Sequence, residues 1–159
     1  MQARWIVVGT DFSEGARWAL QQALRLAGPS GARLALVHAY EDQLEASHFA
    51  DDIAGAAQEQ LDAAVMENVS DSGVIVETFV RRGAPWEKLL NVAVEVGADL
   101  IVVGATGQRG LSSAANLLGS VAYRVVASST RSVLISRLPA NKPASFHDAL
   151  FAKRNEGIG

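Results

Sequence analysis

Short apolar runs alternate along this chain with segments of helical periodicity, and no other feature restricts its fold as much. Arg4 to Gly9 is a β-branched run that ends in Gly9-Thr10-Asp11. Ser13 to Ala27 then carries Ala16, Leu20, Ala23, Leu24 and Ala27 at the spacing of one helix face. Gly28-Pro29-Ser30-Gly31 reads as a breaker, and Arg33 to Ala39 as a second strand. Tyr40 to His48 is polar and acidic, a loop, before Phe49, Ile53, Ala57, Leu61 and Ala64 restore helical period through about Val69. Val74 to Val80 is a third strand and Ala84 to Val96 a third helix, with Pro85 suited to its first turn and Gly97 to its end. Asp99 to Gly104 is the most apolar strand. A Gly/Ser-rich loop, a helix around Asn116 to Ala127 and a last strand, Ser132 to Ser136, complete the pattern.

Strands that are apolar along most of their length are covered on both faces, the mark of a parallel sheet between helices. With 159 residues the chain has room for one such doubly wound α/β domain. We expect that domain at 1–137 and an extension at 138–159. In the extension Ser145-Phe146-His147-Asp148 resembles a capping box, and Phe146, Ala149 and Leu150 share one face of a short helix. So short a helix is not stable alone in water, so docking on its own domain or across a dimer is expected.

The absence of Cys excludes a disulfide framework and thiol chemistry. Apolar runs such as Leu100 to Val103 are far too short to cross a membrane. A formal net charge of −3 argues against general nucleic-acid binding. A soluble, cytoplasmic domain is the expectation. The small net charge hides a segregation. Leu34 to Val80 holds ten acidic residues and no Lys or Arg, whereas Leu100 to His147 holds Arg109, Arg124, Arg131, Arg137 and Lys142 and no carboxylate. Solvated faces would look like this, and so would a half that takes an anion.

Ligands of open parallel sheets bind beyond the carboxyl ends of the strands, at the switch in strand order. The residues just after the strands are therefore the informative ones. Gly104, Gly107 and Gly110 recur at every third position after the fourth strand, where they serve tight turns or let backbone N–H groups approach an anion. Gly119-Ser120, at a helix start, adds a second cluster suited to phosphate. Asp11 either caps the first helix or holds Mg²⁺ beside phosphates, with Ser13 the stronger candidate for the cap. His38 ends a strand and reads as a satisfied core or edge residue; His48 and His147 read as solvated. Trp5, Trp18 and Trp86 read as packing residues. No Walker motif, Rossmann fingerprint, H-E-x-x-H or G-x-S-x-G is present.

Val7-Val8-Gly9-Thr10-Asp11-Phe12-Ser13, Leu36-Val37-His38-Ala39, Gly97 to Gly104 and Leu117-Leu118-Gly119-Ser120-Val121 together resemble the universal stress protein family. The resemblance covers Ile6 to about Ile135. It implies a five-stranded parallel sheet in order 3-2-1-4-5 with helices on both faces, and homodimers paired through the fifth strand, here Ser132 to Ser136. The family's nucleotide-binding branch holds ATP with G-x2-G-x9-G-[ST]. Carried over, Gly104 and Gly107 match the first two glycines and Gly119 and Ser120 the closing pair, with Val103 and Val121 flanking. Thr10 and Asp11 match positions near phosphates and metal, and the Ala39 backbone the adenine contact. Arg109 is an added cation. One departure stands out: eleven residues, not nine, separate Gly107 from Gly119, and a start at Gly107 and Gly110 leaves eight. The resulting expectation is a dimeric stress-response module that binds ATP with Mg²⁺ and hydrolyses it slowly or not at all. The alternative is an interaction module of the same fold that binds no nucleotide and meets a protein partner. A nucleotidyl-transferring enzyme would show H-x-G-H or S-G-G-x-D, and neither occurs.

Overall fold

A computed structural model describes residues 4–41, 50–107 and 118–139. Among them the elements run β1 (Trp5–Gly9), α1 (Glu14–Ser30), β2 (Arg33–Tyr40), α2 (Ala50–Val69), β3 (Val76–Arg82), α3 (Pro85–Glu95), β4 (Leu100–Gly104), α4 (Ser120–Ser128) and β5 (Ser132–Ser136). The strands form one parallel sheet in the order β3-β2-β1-β4-β5, as the resemblance implied. The extension from residue 140 onward, with Phe146, His147, Ala149 and Leu150, lies outside the described residues, as do His48, Arg109 and Gly110.

The central strands explain the continuous apolar runs. Val7 and Val8, adjacent on β1, are both fully buried, as are Ile101 and Val102 on β4. Successive side chains point to opposite faces of a strand, so each run feeds two cores. Ile6, Val8, Leu34, Leu36 and Val102 pack beneath α1 and α2, whereas Val7, Ala35, Val37, Ile101 and Val103 pack beneath α3 and α4. Helix α1 buries a stripe dominated by alanine (Ala16, Ala19, Ala23, Ala27) with Leu20 and Leu24, which lets it lie close on the sheet. Helix α2 is held more thinly, through Ala57, Leu61 and Val69. Truncating the fully buried Leu61 to Ala should therefore cost about 2–5 kcal/mol.

Several boundaries differ from the sequence reading. Gly28-Pro29-Ser30 does not break α1 but forms its last turn, and Gly31 (φ 66°) ends it. Pro29 is tolerated there because the carbonyl it leaves without a donor belongs to exposed Arg25, within reach of water. The Ser30 hydroxyl donates to the Leu26 and Ala27 carbonyls, and the Ala32 N–H also donates to Ala27 O. Strand β3 starts at Val76 and runs to Arg82, because its ladder with β2 begins at Leu34–Val76 and extends to Tyr40–Arg82. Gly97 closes α3 with φ 65°, and the N–H groups of Gly97 and Ala98 donate to Val94 and Ala93 as the sequence predicted for a terminal glycine. Helix α4 starts at Ser120, four residues later than the periodicity suggested, because Gly119 is extended (ψ 160°) and its N–H leaves the helix for Ala105 O.

Two of the three tryptophans, Trp5 and Trp86, are packing residues. Trp5 and Trp86 rest on the core beneath α3 and α4, and the Arg33 and Arg124 guanidinium carbons lie 4.4 and 5.5 Å from the respective ring centres.

A glycine-walled cleft at the switch point

Strands β1 and β4 are neighbours whose connections onward leave in opposite directions, so a crevice opens at their carboxyl ends. A cleft of about 550 Å³, open to solvent, occupies it. Gly9, Thr10, Asp11, Val37, Ala39, Gly104, Thr106, Gly107 and Val121 line it together with Pro85 and Leu89. The structure thus gathers Thr10, Asp11, Ala39, Gly104, Gly107 and Val121 around one space. Val103 lies in the core, and Gly119 and Ser120 at the start of α4 are not among the lining residues, though Gly119 packs beside Thr106 and Gly107.

Close backbone approach accounts for the glycines. A Cβ on Gly104 would lie 3.3 Å from the Gly15 carbonyl group, and one on Gly15 would lie 3.1 Å from Thr106 O. A Cβ on Gly119 would lie 3.3 Å from Ala105 O and 3.7 Å from the Gly107 nitrogen. The two glycine clusters therefore stand side by side although eleven residues separate them in sequence. One expectation needs correction: the Gly119 N–H is no donor to a ligand, because it donates to Ala105 O at 2.7 Å. The donors on offer belong to the next turn. Gly119 supplies no side-chain cap for α4, in contrast to Ser13, whose hydroxyl accepts from Ala16 N–H on α1.

Asp11 is held by a tight local network. Its Oδ1 accepts the Ser13 N–H at 3.0 Å, the Thr10 hydroxyl accepts the Phe12 N–H at 3.0 Å, and Phe12 adopts φ 63°. A left-handed conformation in so bulky a residue costs about 1–3 kcal/mol and persists only where its surroundings impose it. Ser13 is the helix cap, as its sequence position suggested, and Asp11 orders the turn before it. Asp11 Oδ2 faces Gly107, 2.6 Å from where a Cβ there would stand. The floor is apolar: Leu89 packs where a Gly9 Cβ would be, at 2.9 Å.

Sequence reasoning missed Gly15, Thr106, Pro85 and Leu89. Gly15 carried a faint signal, since glycine in the first turn of a helix disfavours it unless something approaches. Pro85 and Leu89 carried none, because they reach the cleft only through the crossing of α3 beneath β1 and β2. His38 is satisfied, as expected: its Nδ1 lies 2.9 Å from Thr10 O.

Fold and cleft together define an open α/β protein with a glycine-walled cleft at its switch point. The profile of the universal stress protein family matches residues 3–137. The chain is 32% identical over 147 residues to a universal stress protein of Bacillus subtilis, covering 83% of this chain and 97% of the relative. It is 33% identical over 146 residues to one of Mycobacterium tuberculosis, covering 82% and 93%. Among solved structures it is similar to a universal stress protein in complex with cAMP, at 33% identity and TM-score 0.65, covering 83% of this chain and 95% of that one. This chain belongs to the universal stress protein family.

Proposed function

We propose that the cleft binds an adenine nucleotide, ATP with Mg²⁺, and that the protein is a dimeric stress-response module rather than a catalyst. The observation that carries this reading is the pairing of Gly104 and Gly107 with the uncapped start of α4, with Asp11 facing Gly107 between them and an apolar floor beside them. Such walls suit a phosphate chain, which needs backbone N–H groups at close range, and such a floor suits a flat base. Two structures of relatives support it. One is described as in complex with cAMP, and that of an Archaeoglobus fulgidus universal stress protein, 25% identical with TM-score 0.64, as in complex with dAMP.

In this reading the N–H groups of the first turn of α4 and the Ser120 hydroxyl take phosphate oxygens, and the base lies toward the Ala39 backbone over Leu89 and Pro85. The residues present fit Mg²⁺ through one carboxylate, Asp11. An ion held by one carboxylate would be carried mainly by the phosphates it accompanies. When bound, Mg²⁺ would neutralise the charge that Asp11 and the phosphates bring together. The described cleft lining brings one carboxylate, Asp11, to this space, its Oδ1 accepting from Ser13 N–H.

Dimerisation would run through β5, an edge strand. Beside it α4 leaves Tyr123 65% and Val126 48% exposed, an apolar pair a partner subunit would cover.

Calorimetry with Mg-ATP, paired with mass spectrometry of small molecules released on denaturation, tests the nucleotide reading. Binding at micromolar concentration or co-purified adenine nucleotide is expected. Neither heat nor released nucleotide would leave the alternative, a module that meets a protein through the acidic segment Glu41 to Asp71 or through the C-terminal extension.

A further inference from the structure

We infer that His38 is a positioning residue: its Nδ1–H clamps the Thr10 carbonyl and so sets the turn that aims Asp11 into the cleft. Strand β1 ends at Gly9, and Thr10 is the first residue beyond its ladder. Two neighbouring residues of β2 grip that one residue. The Thr10 N–H donates to Val37 O at 2.9 Å, and the Thr10 carbonyl lies 2.9 Å from His38 Nδ1. A carbonyl oxygen only accepts, so Nδ1 carries the proton and the neutral ring is the Nδ1–H tautomer.

Three hydrogen bonds within the turn are local. Thr10 Oγ1 accepts from Phe12, Asp11 Oδ1 from Ser13, and Ser13 Oγ from Ala16. Each of these bonds spans two or three residues, and each would survive if the whole turn rotated as a unit. The bond from His38 spans 28 residues, and with Val37 O it ties the turn to the sheet. Phe12 closes the arrangement. At φ 63° its ring lies over the imidazole, centroids 4.5 Å apart and planes inclined by 36°, so the strained residue covers the clamp that holds its turn. Both rings lie on the α1/α2 side of the sheet: His38 shares that face of β2 with Leu34 and Leu36, and Phe12 packs on the same core. The nucleotide cleft uses the other face. His38 therefore acts on Asp11 without lining the cleft.

The nucleotide part of this inference rests on the proposed function; the clamp itself does not. Two substitutions separate hydrogen bonding from packing. In His38→Asn the amide nitrogen takes the place of Nδ1 and can still donate to Thr10, whereas His38→Leu fills space without a donor. In the wild-type protein, long-range ¹H–¹⁵N spectra of the neutral ring should show the Nδ1–H tautomer. The Nε2–H tautomer would overturn the inference. Amide exchange at Phe12 and Ser13 should accelerate in His38→Leu by about fivefold or more and stay within about twofold of wild type in His38→Asn. Mg-ATP affinity should change in the same order. Equal exchange in the two variants overturns the clamp, whether both match wild type or both accelerate alike. If the wild type binds no nucleotide, the proposed function fails, while the tautomer and the exchange rates still decide on His38.

Discussion

Asp11 and Gly107 face each other across the cleft so closely that a Cβ on Gly107 would stand 2.6 Å from Asp11 Oδ2. The carboxylate cannot move freely aside, because Oδ1 accepts the Ser13 N–H and the turn is fixed to the sheet at Thr10. The glycine is thus required by a side chain from the turn after β1, not by its own turn: Gly107 is not among the glycines with positive φ. Gly107→Ala should therefore weaken Mg-ATP binding by about tenfold or more, equivalent to about 1.4 kcal/mol. Gly107 is exposed, so the melting temperature should change little. Calorimetry alongside circular dichroism separates the two, and unchanged affinity would mean that Asp11 need not stand where it does.

Asp11 has two duties, and Asn separates them. Asp11→Asn keeps a side-chain oxygen for the Ser13 N–H but removes the charge that would meet Mg²⁺. We expect its ATP affinity to be nearly the same with Mg²⁺ as with chelator, while wild type prefers Mg²⁺ by about tenfold or more. A variant that keeps the wild-type preference would remove Asp11 from the metal.

The neighbours Gly119 and Ser120 should respond differently. Gly119→Ala puts a methyl 3.3 Å from Ala105 O and 3.4 Å from Thr106 Cα, both backbone, so it should lower the melting temperature. Ser120 is exposed, and Ser120→Ala should leave stability within about 0.5 kcal/mol while costing several-fold in ATP affinity. Equal losses of stability in the two variants would argue that the pair is only structural.

Ser13→Ala removes the oxygen that accepts the Ala16 N–H at 3.2 Å. A lost helix cap costs about 1 kcal/mol, which urea denaturation resolves as a lower midpoint at an unchanged slope. No shift would mean that the Asp11 turn alone secures the start of α1.

If β5 pairs the subunits, replacing Tyr123 and Val126 together by Glu should yield a monomer, because the apolar pair beside β5 would become like charges facing each other. Sedimentation velocity reads this directly. A double variant with wild-type sedimentation would place the interface elsewhere or show that the protein is monomeric from the start.

Local rules were legible where a residue's neighbours in sequence decide its conformation. Ser13 as a cap, Pro85 at the first turn of α3 and Gly97 at its end all depend on bonds within a few residues. The same rules misjudged Gly28-Pro29-Ser30, because the exposure of Arg25, which makes Pro29 tolerable, is not a local property. The start of α4 was misplaced for a related reason: Gly119 spends its N–H on Ala105, across the loop.

By itself the sequence determined the class of fold and most of the ring of residues around the cleft. Burial on both faces forces the apolar runs of β1 and β4, and strands leave their glycines and Asp11 where they end. Only the tertiary structure decided what those residues do. That Gly15 must be small for Thr106 O, that Gly107 must be small for Asp11, and that His38 reaches Thr10 from the opposite face are contacts between segments distant along the chain. Parallel pairing through crossovers sets them, and residue spacing carries no record of which atoms will meet.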